Sequence, residues 1–386
     1  MSGGVIQLAC LGAQDVHLTG KPDVSFFRSN YKRHTHFAQS VERQMLQGQV
    51  QSGIMTSIRL ERKGDLLNYM YLTAKKTADG LISSVDWTKA IDKVELYIGG
   101  QLIDTQDSTF NYLIEPVTMS DTFSKRFLGT EATPGTSVNN IVNRYYPLKF
   151  FFCKDFQNAL PLVALQFHDV EIRIYWNSGD PVIGASSAKI TDYMFEAWAS
   201  FIYLDSSERD YFAKSDLDML IWQVQRVIVP SDYTADLVFS HPIKYICANV
   251  QVYNDKSQQI KTQINGVDVG EYRPLPHWVE VPQYFHTPFG LNNPTAGGQP
   301  GTPAPVLIIP YCLDTSKLQP TGSLNFSRLD SFRMVSLLGS GVPLMRTGAG
   351  ASIFGRTDQV PTSYIYGINY NILRVQKGMA GLLYSN

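Results

Sequence analysis

Charge is scarce in this sequence. Asp, Glu, Lys and Arg together make up 17% of the 386 residues, against the roughly 25% usual for soluble domains. Neither sign dominates: 33 Lys and Arg meet 34 Asp and Glu, for a formal net charge of −1. That balance argues against a surface built to neutralise nucleic-acid phosphates. The basic stretch Phe27–His36 (FRSNYKRHTH) interleaves cations with aromatics, yet it is short and reads as a solvated or interface segment. Cysteine is also sparse. Cys10, Cys153, Cys247 and Cys312 stand far apart with no CxxC, which excludes a disulfide scaffold and suits buried thiols in a reducing compartment. No apolar run approaches the roughly 18 residues of a membrane span. The first residues lack the basic region and apolar core of a secretory signal. These absences lead us to expect a product made and kept in the cytosol.

What is present is aromatic and β-forming. Tyr, Phe and Trp reach 12%, and apolar residues 44%, enough for a sizeable core. Low charge with many aromatics fits a surface covered by neighbours, and equally fits a strand-rich chain. Lys93–Ile98, Leu148–Phe152, Val170–Tyr175, Ile221–Val229, Ile246–Tyr253, Val306–Ile309 and Tyr364–Arg374 read as short strands rich in β-branched and aromatic residues. Helical periodicity is confined to Phe110–Phe127 and Ser206–Leu220. Many short strands divided by Gly and Pro predict an all-β sandwich or barrel.

An internal repeat organises the chain. Leu148–Phe167 aligns without a gap on Leu307–Phe326, bringing Cys153 onto Cys312, Asp155 onto Asp314 and Phe167 onto Phe326. Ile98-Gly99-Gly100 matches Ile264-Asn265-Gly266, both signals for a two-residue type I′ hairpin turn. Thr191–Phe195 matches Thr362–Tyr366. Three matches in one order predict two tandem eight-stranded jelly-roll sandwiches with a few short helices in loops and linker. The expected divisions are an arm (1–24), a first sandwich (25–203), a charged linker (204–218) and a second sandwich (219–386). Phe150, Phe152, Leu165 and Phe167 are expected in a sandwich interior, and Cys153 and Cys312 are expected unpaired, as small buried hydrophobes. Glu131–Asn143 and Thr287–Pro305 are long loops expected at one end of the sandwiches.

Catalytic signatures are weak. No GxSxG, HExxH, Walker loop or EF-hand pattern occurs. His34 and His36 alternate at strand spacing but have no third ligand nearby in sequence. His277, Glu280 and His286 lie among prolines and aromatics without a recognisable catalytic spacing. Gly348-Ala349-Gly350 lacks the third glycine and βαβ context of a nucleotide site. The sequon at Asn325 falls on an apolar strand in the repeat, which argues against its modification.

Gly12–Phe37 (GAQDVHLTGKPDVSFFRSNYKRHTHF) resembles the start of major capsid proteins of nucleocytoplasmic large DNA viruses, the phycodnavirus, iridovirus and mimivirus-like groups. Leu160–Ile172 (LPLVALQFHDVEI), Asn325–Asp330 (NFSRLD) and Ile368–Asn386 resemble further segments of that family in order along the chain. The resemblance implies a double jelly-roll structural protein of the virion that is not an enzyme and takes no cofactor or small-molecule substrate. It implies homotrimers with a pseudo-hexagonal outline that tile an icosahedral shell, assembled in the host cytoplasm. The implied partners are neighbouring capsomers and minor capsid or scaffold proteins beneath the shell, close to an internal membrane and with no specific nucleic acid. Candidate assembly contacts are Gln14, Asp15, Leu18, Thr19, Arg33, His34 and His36. Two alternatives stay open: a minor capsid protein of the same fold, and a glycan-active double jelly roll.

Overall fold

The computed structural model describes residues 3–29, 31–108, 110–119, 142–184, 187–229, 234–249, 258–288, 306–338 and 363–384. The chain divides into two units, Met1–His36 and Phe37–Asn386. The second unit holds two antiparallel sandwiches in succession. In the first, the strands are β1 (Phe37–Gln44), β2 (Met55–Arg59), β3 (Leu66–Lys76) and β4 (Ile91–Ile98). They continue as β5 (Gln101–Asp107), β6 (Tyr145–Pro147, resumed at Leu160–Pro161), β7 (Val170–Trp176) and β8 (Tyr193–Leu204). One sheet runs β1-β8-β3-β6 and the other β2-β7-β4-β5, which is jelly-roll connectivity.

The second sandwich repeats the plan. Its strands are β9 (Leu217–Val229), β10 (Thr234–Asp236), β11 (Pro242–Asn249) and β12 (Gln258–Ile264). They continue as β13 (Val267–Pro274), β14 (Val306–Pro310, resumed at Leu324–Asn325), β15 (Phe332–Leu338) and β16 (Ser363–Gln376). The sheets run β9-β16-β11-β14 and β10-β15-β12-β13. The fold is a double jelly roll, as the repeat predicted.

Local chemistry accounts for these elements. In β7, Val170, Ile172, Ile174 and Trp176 are buried while Glu171, Arg173 and Tyr175 are half-exposed, the two-residue period of a strand with one face on the core. The Arg173 guanidinium lies 4.0 Å from the Tyr97 ring centre on β4. The two matched hairpins close in the same way. Gly99 and Gly100 have φ of 58° and 82°, and Asn265 and Gly266 have 50° and 78°. Both pairs need the left-handed region, which Gly and Asn reach at low cost.

Several expectations need correction. Leu148–Phe152 is not a strand: the paired segment is Tyr145–Pro147, and Phe151–Cys153 form a 3-10 turn. Phe150, Phe152 and Leu165 are buried, but Phe167 is 74% exposed, because its backbone turns out to pair with the chain's end, Phe167 N donating to Gly378 O. Ser206–Leu220 splits into a helix over Ser206–Lys214, capped by Asp205, and the start of β9. The strand expected at Ile246–Tyr253 is β11, and residues 250–253 lie outside the described residues. Phe110–Phe127 opens as a π-helical turn (Phe110–Ile114) and an α-turn (Glu115–Thr118), with 120–127 outside the described residues. Leu275–His286 is a helix that the sequence reading missed.

The gapless alignment finds the right segments in the wrong register. Leu67 faces Leu160 on one ladder, and Ile243 faces Leu324 on its counterpart. Leu324 therefore corresponds to Leu160, not Leu165. Likewise Tyr146 faces Leu72 as Leu307 faces Ala248, so Leu307 corresponds to Tyr146, not Leu148.

Candidate assembly surfaces

One hydrophobic core runs from the first sandwich into the outer face of the second. It unites Ile103, Phe110, Ile114 and Val117 with Trp222, Val224, Tyr245, Cys247, Ile308 and Tyr366. A separate cluster, including Ile246, Ala248, Leu307, Ile309 and Ile365, fills the second sandwich itself. Alternate residues of β11, β14 and β16 thus enter two different cores. Burial on both faces gives those strands continuous apolar runs such as Val306–Ile309 in place of polar alternation.

A polar network stitches the same junction. Asp107 Oδ2 accepts from Tyr366 OH at 2.7 Å and from Arg226 at 3.1 Å, and its Oδ1 accepts from Phe110 N at 2.8 Å. Asp104 Oδ1 accepts from Val224 N at 2.9 Å, and its Oδ2 from Gln106 Nε2 at 2.8 Å. Burial pushes the Asp104 carboxyl up to about 7, against the opposing hydrogen bonds from Val224, Gln106 and Thr105. Tyr245 OH and Thr118 Oγ1 lie 2.9 Å apart, and Gln223 Nε2 donates to Ile103 O. The C-terminal hairpin completes the attachment: Ala380 N lies 3.2 Å from His168 Nδ1, and Leu382 N donates to Gln101 Oε1 at 3.2 Å. Asp107 and Asp104 are the site residues that sequence reasoning missed. Two aspartates in a strand give no signal until a second sandwich is seen to cover them.

The sequence-derived contacts all lie in the unit Met1–His36. Gln14, Leu18, Thr19, Arg33, His34 and His36 are exposed, Leu18 at 86%, and Asp15 is partly buried. Asp15 Oδ2 accepts from Gly12 N at 2.7 Å, and Thr19 Oγ1 donates to Asp15 O at 2.8 Å, closing the turn Val16–Thr19. Gly3–Ala9 forms a further short helix without a buried residue. Phe26 and Phe27 are 94% and 99% exposed. The candidate contacts thus fall on one continuous segment of the chain.

The remaining candidates have structural roles. His277 Nε2 lies 2.9 Å from an Arg273 nitrogen, and His286 Nδ1 lies 2.9 Å from Cys312 O. Among the described residues, no group of three or more His, Cys, Asp or Glu is placed to hold a metal ion. Cys153, Cys247 and Cys312 are free thiols. Burial pushes Cys153 up to about 12 and Cys312 up to about 11, so both stay protonated and poorly reactive at neutral pH. Asn325 is exposed rather than on a covered apolar strand, with its Oδ1 accepting from Ser327 N at 3.0 Å. Gly348–Gly350 and most of both long loops (131–141 and 289–305) lie outside the described residues.

Two successive jelly rolls fused through a shared core define a double jelly-roll protein. Residues 25–205 match the family described as major capsid protein N-terminus, and residues 282–381 match large eukaryotic DNA virus major capsid protein. The chain is 31% identical to the major capsid protein of Pyramimonas orientalis virus and 28% identical to that of Paramecium bursaria Chlorella virus 1, each over the full length of both chains. A solved capsid structure of the latter virus superposes with a TM-score of 0.71 at 26% identity, covering 94% of this chain and all of that one. The chain belongs to the major capsid protein family of large eukaryotic DNA viruses. It is a non-enzymatic component of the virion shell, where it self-associates.

Proposed function

We propose that the chain acts as a homotrimer whose six jelly rolls give a pseudo-hexagonal capsomer, and that such capsomers tile an icosahedral shell assembled in the host cytoplasm. The observation that carries this reading is the rigid fusion of two sandwiches through one core, which makes each chain a fixed two-sixths of a ring. A closed ring needs a heterologous contact, with different patches on each side. Obligate contacts of this kind bury about 2,000–5,000 Å² and resemble a core cut in half. The segment 204–218 then joins two domains, 25–203 and 219–386, and the arm 1–24 precedes them.

Gln14, Asp15, Leu18, Thr19, Arg33, His34 and His36, all in the unit Met1–His36, are assigned to contacts outside the trimer, with neighbouring capsomers or with minor capsid or scaffold proteins beneath the shell. Apolar side chains as open as Leu18, Phe26 and Phe27 gain about 1.5–3 kcal/mol each on burial, so an exposed arm favours docking elsewhere. No specific nucleic acid or small-molecule substrate is assigned, and an internal membrane is placed nearby on family resemblance alone.

The native mass of the purified protein tests the capsomer. A single species near three times 43.3 kDa is expected to persist on dilution to micromolar concentration, and a stable folded monomer there overturns the trimer. Deleting residues 2–20 is expected to leave the protein trimeric while particle yield in infected or co-expressing cells collapses. Normal particle yield from the deletion counts against the arm's role.

A further inference from the structure

Residues 311–323 leave the sheet between the two paired pieces of β14 and fold into a compact loop. Leu313 N donates to Thr321 O at 3.4 Å and Asp314 N to Thr321 Oγ1 at 3.2 Å, which draws its two ends together. Asp314 Oδ1 accepts from Ser316 N and from Ser316 Oγ, both at 2.7 Å, and so stiffens the tip. On the return, Gly322 has φ of 134° and passes so close to Tyr311 that a Cβ would lie 2.6 Å from Tyr311 O. Glycine alone suits that crossing. The loop is a unit tied at one narrow base.

Its tip lies across the junction of the two sandwiches. Thr315 Oγ1 donates to Thr118 O at 2.5 Å, and Thr315 N donates to His286 O at 2.9 Å. Two ammonium groups hold consecutive carbonyls: Lys154 donates to Ser316 O, and Lys244 Nζ donates to Lys317 O at 2.9 Å. Lys154 comes from the first sandwich, at the end of the Phe151–Cys153 turn, and Lys244 from β11 of the second.

Lys244 is an uneasy anchor. It is the extra residue where the ladder of β11 and β16 slips, between the pairs Ile243–Asn369 and Tyr245–Ile368. Such a bulge re-aims a side chain, and here it turns a lysine inward to 4% exposure. The Tyr370 ring lies 5.6 Å from the ammonium, and the Tyr370 hydroxyl is buried without a hydrogen-bond partner. The Lys154 charge repels the ammonium, while Asp314, Asp155 and the Cys312 thiol favour it. Asp314, however, is paired with Lys317 at 3.5 Å. From the helix side, His286 Nδ1 lies 2.9 Å from Cys312 O. A buried charge with so few partners is costly, and burial pushes Lys244 down to about 8.

We propose that residues 311–323 form a strap poised to open, held shut against the charge on Lys244, and that loss of this charge locks it across the junction. Opening returns the ammonium to water, so the charged lysine favours the open strap and the neutral one the closed strap. The closed strap holds Lys244 at about 8 and the open one lets it return to its ordinary 10.5. Opening therefore declines as pH rises through that window.

Cys312 reports the motion. It is an unpaired thiol in the strap with 3% exposure, so a reagent reaches it only when the strap lifts. Iodoacetamide labelling of the assembled protein, read by peptide mass mapping, gives its rate for wild type and for Lys244→Met at pH 7 and pH 9. Dividing the wild-type rate by the variant rate cancels the pH dependence of the thiol chemistry itself. That ratio is expected to fall about tenfold between the two pH values. At pH 7 the variant, relieved of its buried charge, is expected to label more slowly than wild type. Lys244→Gln takes the place of Lys244→Met should the latter lose the wild-type circular dichroism spectrum. A ratio that does not change with pH, or a variant that labels faster at pH 7, overturns the proposal. So does wild-type Cys312 labelling no faster than the core thiol Cys247, which is 0% exposed, because the strap then lifts only when the whole sandwich does.

Discussion

Replacing Asp107 with leucine is expected to lower the unfolding free energy by about 3–5 kcal/mol, the usual cost of removing one partner from a buried ionic group. Asp107 is 8% exposed, and its carboxylate serves Tyr366 OH, an Arg226 nitrogen and Phe110 N at once. Leucine fills the space but leaves the buried Tyr366 hydroxyl without its acceptor and the half-exposed Arg226 guanidinium without its counter-charge. Tyr366→Phe alone removes one hydrogen bond and is expected to cost about 1 kcal/mol. Adding Tyr366→Phe and Arg226→Met to Asp107→Leu removes the stranded groups together and should recover most of the loss, since an apolar replacement of a whole buried network is often near neutral. Urea titration followed by tryptophan fluorescence separates these cases. A loss below about 1 kcal/mol for Asp107→Leu means that the network does not hold the two sandwiches together.

The second large effect is a pH dependence of unusual sign for a carboxyl group. Asp104 has its affinity for protons raised on folding, from the ordinary 3.8 to about 7, because burial disfavours its charge. The folded state then holds a proton that the unfolded state has released, so stability falls as pH rises from about 4 to about 7 and stays lower above that. At about 1.4 kcal/mol per pH unit, the group withdraws up to roughly 4 kcal/mol between those limits. Asp218 and Asp268 act oppositely. Arg374 beside Asp218 and Lys261 beside Asp268 hold those carboxyls below their usual value, and their contributions are lost as pH falls through the low carboxylate range. Asp104→Asn is therefore expected to flatten the decline between pH 5 and pH 8 without altering the acid limb. Urea midpoints of the two proteins at both pH values provide the check. Equal slopes would show that Asp104 is already ionised at pH 5.

Much of the architecture was legible because its signals are local. Val170–Trp176 announces a half-buried strand by alternation, and Gly99-Gly100 and Asn265-Gly266 announce hairpins by backbone angles that Gly and Asn reach at low cost. What escaped depends on what lies across the chain. Register in the repeat was lost because β6 and β14 are each interrupted between their two paired pieces, by segments of different length that a gapless alignment cannot absorb. Leu148–Phe152 looks like a strand by composition, yet Phe151 and Phe152 fill the interior from a 3-10 turn. The Leu275–His286 helix was hidden by Pro276 and Pro282, residues that usually argue against one. The candidate contacts were named from resemblance, and the folded unit adds only their exposure.

The two-sided burial of β11, β14 and β16 also bears on how the chain is made. Synthesis proceeds from the N-terminus, so the first sandwich can close on its own core before its partner leaves the ribosome, with Phe110 and its neighbours waiting uncovered. The second sandwich emerges beside a finished surface and can lay its outer face down directly. Severed from the first half, it would present Trp222, Tyr245 and Tyr366 to water as a contiguous greasy sheet. Such a surface recruits chaperones or aggregates. The order of the two halves along the gene thus doubles as a folding schedule, and exchanging them would remove the template on which the later half settles.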